Sequence, residues 1–222
     1  MFEVYETKVR ITADNDAEAE KVRGAMKEKK VFLINLMGSP GAGKTSTLIR
    51  TINALKDDYR IGVMEADMDS DVDARTIEAL GVKVIQLHTG GSCHMDADMT
   101  ARGLDRLNVD DLDVVFLENV GNLVCPAEFD VGAALKVMIL SAPEGDDKPL
   151  KYPLMFTVSN VMLMNKIDTK DVFDFDPEKA LARAKNLNPD IVPFCLSAKT
   201  GEGFDAWTAW LKCTIEAWRT EG

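Results

Sequence analysis

Apolar residues gather in short runs separated by longer, charge-rich stretches. The runs fall at 31–36, 61–65, 82–87, 114–117, 137–140, 161–164 and 191–196. Short, mainly apolar runs of that length, rich in Val, Ile and Leu, read as strands of a largely buried sheet. Helical patterns lie between them. Residues 16–30 form a charged, amphipathic lead-in helix. Residues 45–55 follow a Gly-rich loop, and 74–80 form a helix that Gly81 ends. Residues 177–186 begin with Pro177 in the first turn, and 204–218 place Trp207, Leu211, Ile215 and Trp218 on one face. The alternation predicts an α/β fold with a mainly parallel central sheet and helices on both faces. Ligand sites then open at the carboxyl ends of the strands.

Composition narrows the picture. The chain has 222 residues, which one α/β domain over 1–222 absorbs, with 1–30 as an N-terminal lead-in. The net charge of −11 argues against nucleic acid or an anionic membrane as partner. No apolar stretch reaches membrane-spanning length, and the N-terminus lacks a signal-peptide pattern. A cytoplasmic location is expected, so Cys93, Cys125, Cys195 and Cys213 read as thiols. The 11 methionines include Met162 and Met164, which sit in an apolar run and read as core.

The first chemical signal is Gly38-Ser39-Pro40-Gly41-Ala42-Gly43-Lys44-Thr45, between a strand and a helix. Backbone N–H groups must turn inward around phosphate oxygens there, and side chains would block that approach. Lys44 reaches the outer phosphates and the Thr45 hydroxyl ligates Mg²⁺. Gly38, Ser39, Gly41, Ala42, Gly43 and Ser46 complete the cradle, and the following helix turns its positive end to the anion. The fold is therefore expected to be that of a P-loop NTPase.

The second signal selects the base. Asn165, Lys166 and Asp168 follow an apolar strand. A carboxylate at Asp168 accepts from guanine N1–H and the exocyclic amine together. Adenine offers no such pair, and a buried Asp168 would reject it. The Lys166 stem lies across the base and Asn165 braces the loops. Backbone N–H groups of Ser197, Ala198 and Lys199 face guanine O6. GTP and GDP are the expected nucleotides.

Cys93 and His94 are adjacent in a loop opened by Gly90 and Gly91, and Cys125 follows later. Thiolate and imidazole suit Zn²⁺ or Ni²⁺ and disfavour Mg²⁺. Adjacent strand residues point apart, so joint ligation needs the glycine loop. Spacing alone does not separate this reading from simple packing, which is the reading given to Cys195 and Cys213. Position adds to it. Glu118-Asn119-Val120-Gly121 follows a strand where nucleotide-sensing loops sit, and Gly121 can present its N–H to the terminal phosphate. Cys125 is only a few residues beyond, so a loop that shifts on hydrolysis would shift a metal ligand.

These pieces together resemble the hydrogenase nickel-incorporation GTPases of the HypB type over nearly the whole chain. The most specific are residues 89–97, from Thr89-Gly90-Gly91-Ser92-Cys93-His94 on, 118–127, ending in Val124-Cys125-Pro126-Ala127, and 144–153. The resemblance implies a dimerising GTPase that hydrolyses GTP slowly and helps deliver Ni²⁺ to the large subunit of NiFe-hydrogenase, with a zinc-containing, HypA-type nickel chaperone. It implies Cys93, His94 and Cys125 as metal ligands, Asp67 as the Mg²⁺-side aspartate and Glu118 as the carboxylate of the second switch. No cysteine precedes Cys93 and no histidine precedes His88, so the N-terminal nickel stores of many relatives are not expected. His88 reads as a packing or hydrogen-bonding residue rather than an extra ligand.

The resulting expectation is a switch. GTP and Mg²⁺ order the loops of Asp67 and Glu118–Gly121, a homodimer forms, and the Cys/His site holds Ni²⁺ or Zn²⁺. Hydrolysis then displaces Cys125. Lys148 is a candidate charge donor from the partner subunit, set against a solvated or ion-paired lysine. Two other readings stand beside it: a urease-type nickel accessory GTPase, and a structural zinc protein whose nucleotide only regulates assembly.

Overall fold

A computed structural model describes residues 8–67 and 72–220, without the side chains of 8–12, 67, 72 and 73. In the described residues seven strands form one sheet: β1 (Phe32–Gly38), β2 (Ile61–Asp67), β3 (Lys83–His88), β4 (Val114–Glu118), β5 (Leu135–Ser141), β6 (Val161–Asn165) and β7 (Val192–Cys195). Their order is β3-β2-β4-β1-β5-β6-β7, and every pairing is parallel. β1 lies at the centre, flanked by β4 and β5, with Leu36 opposite Glu118 and Gly38 opposite Ile139.

Helices cover both faces, as the apolar strands require. The helices are α1 (Lys8–Lys29), α2 (Lys44–Leu55), α3 (Val72–Glu78), α4 (Ala97–Leu107), α5 (Cys125–Glu128), α6 (Lys148–Lys151), α7 (Pro153–Val158), α8 (Pro177–Leu187) and α9 (Phe204–Thr220). Phe32, Ile34 and Leu36 of β1 point to one side, where Leu48 and Ile52 of α2 meet Trp207, Leu211 and Ile215 of α9. Leu33 points to the other, against Val22 and Met26 of α1 and Leu104 of α4. Further along that side Met138, Met162 and Met164 pack with Phe156 and Ala180, so the methionines of the apolar runs are core filling. Trp207 donates to Thr51 Oγ1 at 3.0 Å, so its indole N–H is satisfied in the core.

The structure departs from the sequence reading in the helices. α1 begins at Lys8 rather than 16, and ends where Lys30 turns left-handed. The apolar pattern gave no sign of α4. Its inner face carries Ala97, Thr100 and Gly103 beside two leucines, too small and polar to stand out. A Cβ on Gly103 would meet Met64 Sδ at 2.8 Å, so glycine lets α4 approach the sheet. Asp96 caps it, accepting from Met99 N at 2.8 Å. Cys195 and Cys213 are exposed rather than packed, one at the end of the edge strand β7 and one on the outer side of α9. Among the described residues no helix is long and apolar enough to cross a membrane.

Candidate functional site

The chemistry gathers at the carboxyl ends of the central strands. β1 ends at Gly38, the loop runs to Gly43, and α2 opens at Lys44. Gly43 is left-handed, and a Cβ there would lie 2.3 Å from Asn165 Nδ2. Lys44 Nζ reaches back to the carbonyls of Gly38 and Ser39 at 3.5 Å. A cleft of about 530 Å³ opens above this loop, lined among others by Pro40, Lys44, Thr45, Glu65, Glu118 and Gly121. Its inward backbone and the amino end of a three-turn helix suit phosphate oxygens.

Glu118, only 3% exposed at the end of β4, accepts from Thr45 Oγ1 at 2.8 Å. Glu65, equally buried on β2, lines the same cleft, and the sequence reading missed it. Two carboxylates and a hydroxyl are a donor set that fits a hard divalent cation. Asp67 ends β2, and its carboxylate lies outside the described side chains. Gly121 lies against the phosphate loop: a Cβ there would sit 2.9 Å from both Pro40 N and Pro40 Cγ.

A second hollow of about 240 Å³ adjoins the first, lined by Ser46, Asn165, Lys166, Asp168, Ala198 and Lys199. Asn165 braces it as expected. Its amide donates to Ala42 O at 2.9 Å and its carbonyl accepts from Ala198 N at 3.0 Å. Lys166, left-handed, lays its stem over the loop and donates to Gly41 O at 2.7 Å. Ser197 is buried, with its N–H bonded to Glu202 O. Asp168 is exposed in the protein alone rather than buried. An unpaired carboxylate there carries no burial penalty in the protein alone. Arg50, not anticipated from sequence, clamps the far side by donating to Ala198 O at 2.5 Å and Lys199 O at 3.0 Å. It stands six residues beyond Lys44 with nothing around it to mark it.

The third cluster sits beside the phosphate end. Cys93 Sγ lies 2.9 Å from Cys125 Sγ and 3.8 Å from His94 Nδ1, and the three ligand atoms fall within 4.8 Å of one another. Gly90 and Gly91 are both left-handed, which makes the loop that turns adjacent Cys93 and His94 together. The His94 ring stacks on Phe129 at 4.0 Å, another residue the sequence did not flag. Hydrogen bonding to Cys93, then burial, pushes the Cys125 thiol up. Burial lowers the His94 pKa, against the pull of Asp96 and Glu128. A neutral imidazole beside two thiols fits a borderline or soft cation, which would displace the thiol protons on binding. His88 is exposed at the end of β3 and does not join the cluster. Lys148 sits over the Tyr152 ring at 5.2 Å.

Comparison with known proteins agrees with this geometry. Residues 32–193 match the family described as CobW/HypB/UreG, nucleotide-binding domain. The hydrogenase maturation factor HypB of Escherichia coli (strain K12) is 45% identical over 209 residues, covering 94% of this chain and 72% of that protein. The crystal structure of HypB from Helicobacter pylori in complex with nickel superposes with a TM-score of 0.86 at 33% identity, covering 92% of this chain and 96% of that one. HypB from Archaeoglobus fulgidus gives 0.85 at 36% identity, covering 91% and 99%.

Proposed function

The chain belongs to the HypB hydrogenase maturation factors of the CobW/HypB/UreG family, and from that premise we propose that it is a GTP-hydrolysing nickel metallochaperone for NiFe-hydrogenase maturation. The observation that carries the reading is the Cys93, His94 and Cys125 cluster standing beside a phosphate cleft. The helix-capped loop with Lys44 holds the outer phosphates of GTP. Asn165, Lys166, Asp168 and the loop of Ser197, Ala198 and Lys199 hold guanine. Thr45, Asp67 and Glu118 would hold Mg²⁺, which supplies charge neutralisation on the phosphates. Water attacks the terminal phosphate, giving GDP and inorganic phosphate. The cations lining the cleft among the described residues are Lys44 and Lys166, with no arginine. A slow intrinsic rate is the expectation for hydrolysis that relies on lysines and Mg²⁺ for charge neutralisation.

Nickel is the cargo. Cys93, His94 and Cys125 bind it, and the loop from Glu118 to Cys125 ties its release to the nucleotide. Zn²⁺ can take the same donors. GTP and metal favour a homodimer. Leu150 of α6 and Leu154 of α7 are 65% and 43% exposed, and Val124 is exposed beside Cys125, an apolar surface suited to a second copy. A HypA-type chaperone and the hydrogenase large subunit are the partners at either end of the transfer, in the cytoplasm.

The test is nickel affinity of the full chain with a nonhydrolysable GTP analogue and with GDP. The reading expects different affinities and different sulfur-to-nickel absorption in the two states. Equal affinity with one unchanged ligand set would instead leave a structural metal site.

A further inference from the structure

Two asparagines in one loop make different connections. Asn119 is 0% exposed. Its amide donates to Asn35 Oδ1 at 3.1 Å, on the central strand. Its carbonyl accepts from Met95 N at 3.2 Å and Val120 N at 2.9 Å. One end of the Cys93 loop is thereby fastened to the sheet. Asn122 is half-buried, three residues later, and meets β1 at its last residue, where the phosphate loop begins. Its backbone N–H donates to Gly38 O at 3.1 Å, and the two residues form an isolated antiparallel bridge. Its side-chain carbonyl accepts from Val124 N at 2.8 Å, its amide donates to Cys93 O at 3.4 Å, and it bonds the Cys125 side chain.

We propose that Asn122 is the positioning residue that couples the phosphate loop to the metal cluster, by holding Gly38 through its backbone and the Cys93 and Cys125 segments through its carboxamide. The Cys93 loop is then held at Asn119 from within the sheet and at Asn122 from the point where β1 passes into the phosphate loop. Displacement of Gly121 and of the phosphate-loop residues beyond Gly38 changes the separation of the two sulfurs, while Gly38 itself stays paired with Ile139 in the sheet. An asparagine meets the need because one short planar group must accept from Val124 N and donate to Cys93 O at once. Aspartate keeps the acceptor and loses the donor, and alanine loses both. The inference rests on the nucleotide-controlled nickel reading above.

The experiment measures nickel affinity of the full chain, with a GTP analogue and with GDP, for the wild type, Asn122→Asp and Asn122→Ala. The sulfur-to-nickel absorption band and nucleotide affinity are recorded alongside. The wild type should show an affinity ratio between states on the order of tenfold. Both variants should bring that ratio to about one, merge the two bands, and keep nucleotide affinity within about twofold, since the side chain does not line the cleft. A wild-type ratio of one defeats the functional reading, and this inference with it. A wild type that responds, with variants that respond equally, overturns the coupling role of Asn122 alone. Loss of nucleotide binding in both variants would make Asn122 part of the phosphate cradle and also overturn the assignment.

Discussion

The proposed guanine corner and the proposed metal corner stand at the same end of one sheet, yet they are built differently. At the guanine corner Asn165 is buried and ties the phosphate loop to the loop at Ala198 through bonds of 2.9 and 3.0 Å. Arg50 closes the far side from a helix. At the metal corner Cys93 is exposed, its loop turns on two left-handed glycines, and its link to Asn122 is a 3.4 Å bond. A site that reads one base gains from donors fixed before the ligand arrives. A site that must take up and release a cation needs ligands on segments that can move at low cost.

The comparison breaks first at Asp168. Asp168→Asn should weaken GTP by about 100-fold or more and shift preference toward xanthosine nucleotide, since the variant offers a donor where guanine needs an acceptor. Competition binding with the two nucleotides checks this, and nickel affinity should not follow. Unchanged base preference would move the guanine reading elsewhere. The matching change at the other corner is Cys125→Ala. It should lower nickel affinity by about 100-fold, comparable to or beyond loss of an outer-shell partner, and spare GDP binding. Nickel titration of a variant that binds as before would remove Cys125 from the site.

The two corners also differed in how much the sequence said. The guanine corner was legible because its parts are contiguous motifs after apolar strands, from Asn165 to Asp168 and from Ser197 to Lys199. All seven strands were legible because short apolar runs mark them, strongest in β1, β4, β5 and β6, which are buried nearly throughout, and weakest in the half-exposed edge strands β3 and β7. Arg50 and Glu65 were not, because each acts from the middle of a helix or strand with no motif around it, and Arg50 reaches Ala198, 148 residues along the chain. The metal corner was only half legible. Cys93, His94 and Cys125 stood out as residue types, but their meeting depends on Gly90 and Gly91 and on α5, a single turn too short to leave a periodic pattern. Phe129 left no signal, since stacking on His94 is a contact of tertiary structure.

Arg50→Ala sharpens the contrast next. It removes two bonds from a charged donor, worth about 2 kcal/mol, and should raise the GDP dissociation constant by about 10- to 30-fold. Calorimetric titration reads it directly, and nickel affinity should stay level. A fall in both would mean the corners share one mechanical unit. Acid supplies the opposite case, a change that should strike both corners alike. Asp113 precedes β4 and accepts from Arg60 at 2.9 Å and Arg219 at 2.8 Å. The Arg60 hydrogen bond is the main cause that lowers its pKa from 3.8 to about 2. A depressed folded pKa gives stability that is present above the unfolded value and lost as pH falls through the folded one. Between pH 4 and 2 this should cost about 1 to 2 kcal/mol, discounted because Arg60 is largely exposed. Denaturation of wild type and Asp113→Asn across that range checks it, with the variant losing less.

The smallest expected effect lies at Phe129. Its ring stacks on His94 at 4.0 Å and 20°, and its N–H closes α5 by donating to Cys125 O at 3.3 Å. Phe129→Ala keeps that backbone bond and all three ligand side chains, and removes only the surface that holds the imidazole. An aromatic stacking pair is worth about 0.5 to 1.5 kcal/mol, so nickel affinity should fall by about two- to tenfold. Phe129→Tyr keeps the ring and should restore it. Guanine nucleotides should bind both variants as they bind the wild type. A loss as deep as that of Cys125→Ala would mean that the ring sets where Cys125 stands, and the metal corner would then be as preorganised as the guanine one.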